Sequence, residues 1–202
     1  MIKIAGLIHD IGHGPFSHLF DDWIHELSKL DENKELAESK LLDHESRSIL
    51  LFQQIVSSEK KVFFSEDNYY IKDFINPEAV NFICELINPS NTSSKNFIFQ
   101  IISNSINGLD VDKLDYLYRD SFYLGLGSPY DLDQVISHVQ VLNGNICFPE
   151  IISYEIYKIY RSRYDLHKQF YTYKTSISIE LMISDILTNL DPILKISDNI
   201  KT

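Results

Sequence analysis

Apolar residues recur at helical spacing along most of the chain. Ile2, Ile4, Ala5, Leu7 and Ile8 predict a buried helix over 2–11. Gly12, Gly14 and Pro15 break it, and Pro15 suits the first turn of a second helix over 15–28. Phe16, Leu19, Phe20, Trp23, Ile24 and Leu27 form the apolar stripe of that helix. Residues 29–41 are charged and weakly periodic, as in a linker or a short helix with a solvated face. Asp43 is placed to cap a helix over 44–57, with Ile49, Leu50, Phe52, Ile55 and Val56 on its buried side. Residues 59–73 mix charges and aromatics without a period, and Lys60-Lys61 reads as a solvated pair.

In the second half, Asn76-Pro77-Glu78 combines a cap, a first-turn proline and an early acid, so a helix starts there. It ends by Asn88-Pro89, because the residue before proline avoids the helical region. Residues 88–96 form a loop, 97–103 a short helix, and Asn107-Gly108 a turn. The helix over 109–124 carries Val111, Leu114, Leu117 and Tyr118 on one side. Asp112, Tyr116 and Asp120 lie at four-residue steps on the other, beside Lys113. After a loop over 125–129 and a short helix over 131–138, residues 139–142 and 145–148 flank Asn143-Gly144, a β-hairpin signal with a type I′ turn. Residues 153–174 form a long aromatic-rich helix, and 176–190 another, with Pro192 past its end. The expected fold is all-α with one small hairpin.

Composition narrows the functional classes. A chain of 202 residues with 44% hydrophobic and 23% charged residues is long enough for one sizeable core, so a single domain over 1–202 is expected. No apolar run approaches the roughly 20 residues that span a bilayer. The N-terminus lacks the layout of a signal peptide, so the expected location is intracellular, cytoplasmic or nuclear, without membrane association. The net charge of −11 speaks against general nucleic-acid binding, which depends on neutralising phosphates, but leaves room for a small phosphorylated ligand in a local basic pocket. Cys84 and Cys147 stand singly in apolar surroundings and read as free thiols.

The chemistry concentrates between His9 and His18, where three histidines and an aspartate fall within ten residues among glycines and apolar residues. Such groups at the end of a buried helix are costly unless paired, and a metal ion with an anionic substrate would pair them. Adjacent helical residues point about 100° apart, so His9 and Asp10 meet one ion only from a crevice between helices. A third ligand must come from elsewhere, and Asp112 is the candidate because it lies on the non-apolar side of its helix. Without further context, His13 and His44 would read as core or capping histidines. His25 and His138 read as solvated or core residues, and Tyr154, Tyr157, Tyr160, Tyr164 and Tyr173 as helix packing rather than ligand stacking.

Two segments carry a resemblance. His9-Asp10-Ile11-Gly12-His13-Gly14-Pro15-Phe16-Ser17-His18-Leu19-Phe20-Asp21 resembles the HD motif of the HD-domain phosphohydrolases. Asn107-Gly108-Leu109-Asp110-Val111-Asp112-Lys113-Leu114-Asp115-Tyr116-Leu117-Tyr118-Arg119-Asp120 resembles their final aspartate segment, in the form found in dNTP triphosphohydrolases with a sterile-alpha motif ahead of the HD domain. Asp43-His44-Glu45 and Arg163 to Tyr171 also fall where that family has functional residues.

The resemblance implies an HD fold and a divalent metal (Mg, Mn, Fe or Zn) held by His9, Asp10 and Asp112. It implies a catalytic cluster of His13, His18, Asp21 and His44 around the α-phosphate, with His18 as the acid for the leaving 5′-oxygen. Lys113, Tyr116 and Arg163 match triphosphate contacts, Asp120 a contact to the sugar 3′-hydroxyl, and Tyr171 the ring that crowds the 2′ position. On spacing, Arg163, His167, Tyr171 and Lys174 share one helix face. The implied reaction converts a deoxynucleoside triphosphate and water to deoxynucleoside and triphosphate, in a homo-oligomeric enzyme. The family's metal site also takes a histidine well upstream of the HD pair, and no histidine precedes His9 here. An N-terminally truncated catalytic core with an incomplete C-terminal lobe is therefore expected. The alternatives are an HD-fold protein that binds nucleotide or a partner without turnover, and an HD phosphohydrolase of another phosphorylated substrate.

Overall fold

The computed structural model describes residues 1–30, 33–58, 75–90 and 96–201. The stretch 59–73 with Lys60-Lys61, and residues 91–95 of the expected loop, lie outside the described residues. Among the described residues the fold is all-α with one two-stranded hairpin. No described helix is long and apolar enough to cross a membrane. The chain divides into two compact units, residues 1–88 with 179–202, and residues 89–178.

The first unit is built on α2 (His18–Ser28), whose Phe20, Trp23 and Ile24 are buried at the predicted spacing. They pack with Leu36 of α3 (Lys34–Ala37), with Leu187 of α9 (Lys174–Leu194) and with Ile200 of α10 (Ile196–Ile200). The Trp23 indole donates to Thr188 Oγ1 at 3.0 Å, so its one polar atom is satisfied inside the core. Helix α2 starts three residues later than the periodicity suggested. Phe16 and Ser17 hold positive φ (69° and 53°), and the Phe16 ring is exposed rather than part of the stripe. Gly14 lies close against this segment: a Cβ there would stand 2.3 Å from the Phe20 ring.

Helix α1 (Ile2–Ile8) is shorter than expected and only Ala5 is buried; Leu7 is 80% exposed. It packs along α5 (Pro77–Ile87), so one face is covered rather than all. Asn76 caps α5 as predicted, accepting from Ala79 N at 2.8 Å. Helix α4 (His44–Ser57) forms as expected but is rotated: Arg47, Ser48, Phe52 and Val56 are buried, while Leu50 and Ile55 face solvent. Asp43 precedes α4 without a side-chain capping bond and instead pairs with His25 Nε2 at 3.0 Å. Helix α9 runs through Pro192 rather than stopping before it. Asp191 anchors the next turn by accepting from Ser197 N (2.9 Å) and Oγ (2.5 Å).

The second unit centres on α6 (Val111–Tyr123), capped by Asp110, and α8 (Ser153–Leu166). Leu109, Leu117, Tyr130, Val135, Ile159 and Leu166 form its core, with Val135 on α7 (Leu132–His138). The hairpin of β1 (Gln140–Leu142) and β2 (Asn145–Cys147) pairs Val141 with Ile146, and Asn143 (φ 51°) and Gly144 (φ 77°) make the predicted turn. The buried Gln100 fixes β2, accepting from Ile146 N at 2.9 Å and donating to Asn145 Oδ1 at 3.0 Å.

The predicted helix over 153–174 is not continuous. After α8 the chain makes a π turn over His167–Tyr171, where Thr172 N and Oγ1 both donate to the His167 carbonyl (3.0 and 2.7 Å), and α9 begins at Lys174. Tyr154, Tyr157, Tyr160, Tyr164 and Tyr173 are exposed rather than packed, because Ile159 and Leu166 supply the buried contacts of α8. Ile159→Ala should therefore cost about 2–4 kcal/mol in denaturant unfolding, and Tyr157→Ala less than about 1 kcal/mol.

Candidate active site

In the first unit the His9–Gly12 turn is held by side chains of α4. Ser48 Oγ donates to the His9 carbonyl (2.6 Å) and accepts from Gly12 N (2.8 Å). Arg47 Nε donates to the Gly12 carbonyl at 2.8 Å. The turn lies so close to α4 that a Cβ on Gly12 would stand 2.2 Å from the His44 carbonyl oxygen and 2.3 Å from Ser48 N. Glycine is required here by space.

This turn gathers imidazoles around Asp10. Asp10 Oδ1 lies 3.3 Å from His9 Nε2, 3.7 Å from His13 Nε2 and 3.9 Å from His44 Nε2. His9 Nδ1 stands 2.8 Å from the Gly6 carbonyl, which can only accept, so Nδ1 carries the proton and Nε2 presents its lone pair. A neutral imidazole oriented by a backbone carbonyl, next to a carboxylate, is a donor set that suits a divalent ion.

His13, His18 and His44 form a second layer. His13 stacks on His44 (centroids 3.9 Å, 14°), and His18 stands edge-on to both (4.9 Å, 87°; 5.5 Å, 73°). His44 Nδ1 donates to Asp21 Oδ2 at 2.7 Å, and Arg47 Nη2 donates to Asp21 Oδ1. Ligand atoms of His13, His18, Asp21 and His44 lie within 4.8 Å of one another, close enough to hold an ion. The parallel rings of His13 and His44 direct their in-plane lone pairs side by side, however, and both Asp21 oxygens already accept bonds. This geometry suits proton handling and phosphate contact better than chelation.

The electrostatics agree. Burial pushes His13 below its ordinary pKa, and the neighbouring His44 and His18 add to this against the opposing pull of Asp10 and Asp21, so His13 is neutral at neutral pH. Burial alone would raise the Asp21 carboxyl, but the bonds from His44 and Arg47 outweigh it and hold the group below the usual carboxylate range.

In the second unit, Asp112 occupies the first turn of α6 and is half-buried. Lys113 Nζ pairs with Asp110 (3.0 and 3.2 Å). Gly108 turns the chain at φ +69°; its missing Cβ would stand 3.9 Å from Arg163 Nη1 and 4.0 Å from Lys113 Cε, so both basic groups border this turn. Burial pushes the Tyr116 hydroxyl up, with Arg163 acting the other way. The Tyr171 hydroxyl donates to Asp120 Oδ2 at 2.5 Å and is pushed up by burial and by that bond. Lys113, Tyr116, Asp120, Arg163 and Tyr171 thus sit on α6, α8 and the π turn of one unit. Lys174, expected on the same face as Arg163, falls in the next helix beyond the π turn. His167 meets Tyr171 edge-on at 5.1 Å. His138 bonds the Gln134 carbonyl at 2.9 Å.

Arg47 and Ser48 were missed in the sequence. The available signal was a basic residue and a serine in register with Phe52 and Val56, since a charge on an apolar face requires a partner.

No family model matches the chain. Its relatives include an HD domain-containing protein of Acanthamoeba polyphaga mimivirus, 42% identical over 201 residues and 98% of the chain. The deoxynucleoside triphosphate triphosphohydrolase SAMHD1 homolog of Dictyostelium discoideum is 37% identical over 201 residues and 99% of the chain. The deoxynucleoside triphosphate triphosphohydrolase SAMHD1 of Homo sapiens is 29% identical over 210 residues and 97% of the chain. The chain spans 39%, 35% and 32% of the lengths of these three proteins.

Two outcomes follow from the geometry. Gly12→Ala should lower stability by about 1–3 kcal/mol or more in thermal unfolding, because backbone atoms cannot yield to the new methyl group. Asp21 has a depressed pKa in the fold, so its contribution is present above about pH 4 and is lost as pH falls through the folded value. Asp21→Asn should lower stability at neutral pH and flatten its decline in acid, read from unfolding midpoints on either side of about pH 4.

Proposed function

We propose that this chain, a homologue over nearly its whole length of HD-domain proteins of the deoxynucleoside triphosphate triphosphohydrolase type, is a metal-dependent phosphohydrolase. It takes a deoxynucleoside triphosphate and water to deoxynucleoside and triphosphate. The observation that carries the reading is the oriented array of His13, His18, Asp21 and His44 beside Asp10. The reading takes residues 1–202 as one catalytic domain, since each of its two motifs supplies groups to the same reaction. The homo-oligomeric state is proposed on the resemblance alone.

His9, Asp10 and Asp112 would hold the divalent ion; motif position supports all three, and the orientation of His9 by Gly6 supports the first. An ion held there would supply Lewis-acid charge near phosphorus and favour the loss of a proton from water. The bond between the α-phosphorus and the 5′-oxygen breaks while a water oxygen joins phosphorus. His18 delivers a proton to the leaving 5′-oxygen, and the proton lost by the attacking water goes to solvent, from which His18 is reprotonated. Neutral His13 can donate to an α-phosphate oxygen without bringing a charge into the cluster. His44, held by Asp21, keeps one ring nitrogen toward the reacting group.

Lys113 and Arg163 provide a point charge and a planar fork for the triphosphate, with Tyr116 as a further donor. Tyr171 occupies one oxygen of Asp120 and leaves the other for the sugar 3′-hydroxyl, while its ring crowds the 2′ position.

The test is incubation of the purified chain with dGTP or dATP and Mn²⁺ or Mg²⁺, with triphosphate and deoxynucleoside as readouts. Turnover well above an Asp112→Ala control, with bound metal lost in that variant, is the expected result. Turnover no greater than the control would refute the enzyme reading, and nucleotide binding without turnover would favour the non-catalytic alternative.

A further inference from the structure

We propose that Arg47 is a positioning residue for His44 and acts through Asp21. Its kinetic consequence rests on the phosphohydrolase reading; its structural consequence does not. Arg47 is 8% exposed. Its Nε donates to the Gly12 carbonyl (2.8 Å), Nη1 to the Leu41 and Leu42 carbonyls (2.8 and 2.7 Å), and Nη2 to Asp21 Oδ1, while the guanidinium lies 5.3 Å over the Phe20 ring.

Three of these partners are neutral carbonyls that any buried donor could satisfy. The fourth is a carboxylate as buried as Arg47 itself, so the charge answers Asp21. Asp21 in turn accepts His44 Nδ1 at 2.7 Å through its other oxygen. Fixing Oδ1 holds the carboxylate plane and so restricts the directions from which Oδ2 accepts. That sets the orientation of the His44 ring and places its proton on Nδ1, with Nε2 on the Asp10 side. The bond to the Gly12 carbonyl acts one residue before His13, whose ring lies flat on His44. One guanidinium thereby holds both members of the stacked pair.

The test has a spectroscopic and a kinetic arm. In ¹H–¹⁵N spectra of the histidine-labelled chain at one fixed pH, with His44 assigned by a His44→Gln variant, the wild-type chain should show the Nδ1–H form. Arg47→Gln should change that signal to a mixed Nδ1–H and Nε2–H pattern, and Asp21→Ala should do the same. In dNTP turnover, Arg47→Gln should lower kcat by about tenfold or more with little change in KM. In the Asp21→Ala background the same substitution should cost less than about twofold. An unchanged His44 signal in Arg47→Gln, or equal kcat losses in both backgrounds, would overturn the proposal. If the wild-type chain turns over no dNTP, the phosphohydrolase reading fails and the spectroscopic arm decides alone. If Arg47→Gln does not fold, Arg47→Lys is decisive: it keeps the charge but loses the fork that spans Gly12 and Asp21, so a folded Arg47→Lys should show the mixed His44 pattern, and an unchanged His44 signal there would overturn the proposal.

Discussion

The contact on which the first unit's chemistry depends is the seating of the His9–Gly12 turn against the start of α4. The turn exposes backbone donors and acceptors that its own length cannot pair. Ser48 takes one of each, and Arg47 takes a further carbonyl. Unpaired and buried, each of those groups would cost roughly 1–3 kcal/mol. The close approach is possible only because residue 12 has no side chain. Sequence, packing and function meet at that point: a glycine admits a helix, the helix brings His44, and His44 completes a layer of rings with His13 and His18.

The acidic character of the chain does not oppose a polyanionic substrate once charges are located. Several carboxylates near the motifs are already engaged: Asp21 by Arg47 and His44, Asp110 by Lys113, Asp120 by Tyr171. Each is held by a donor and loses part of its repulsion toward phosphate. Arg163 and Lys113 border the same glycine turn and form a local basic edge within a molecule of net charge −11.

The all-α class, the hairpin with its turn, the α5 cap and the core of α2 were all legible, because each rests on local periodicity or on a turn residue with a single conformational use. Most candidate residues were legible through two motifs, and His44, Arg163 and Tyr171 only through the positions the resemblance marks outside them. Other features were not, three of them for instructive reasons. The rotation of α4 depends on partners 35 and 36 residues away, which periodicity cannot see. The late start of α2 goes with positive φ at Phe16 and Ser17, which apolar spacing does not report. The exposed tyrosines of α8 follow the apolar pattern of a packed face, yet Ile159 and Leu166 alone supply its buried side chains.

The π turn between Leu166 and Lys174 has a consequence for how this site can change over evolutionary time. It fits one more residue into the stretch than an α-helix would hold, and that surplus residue helps fix the direction from which Tyr171 meets Asp120. Closing the turn to α geometry without shortening the chain would swing the ring by about 100°. The Tyr171–Asp120 contact is therefore set by the backbone of the turn as well as by the tyrosine itself. A substitution that tightens the turn moves that ring without touching Tyr171 or Asp120.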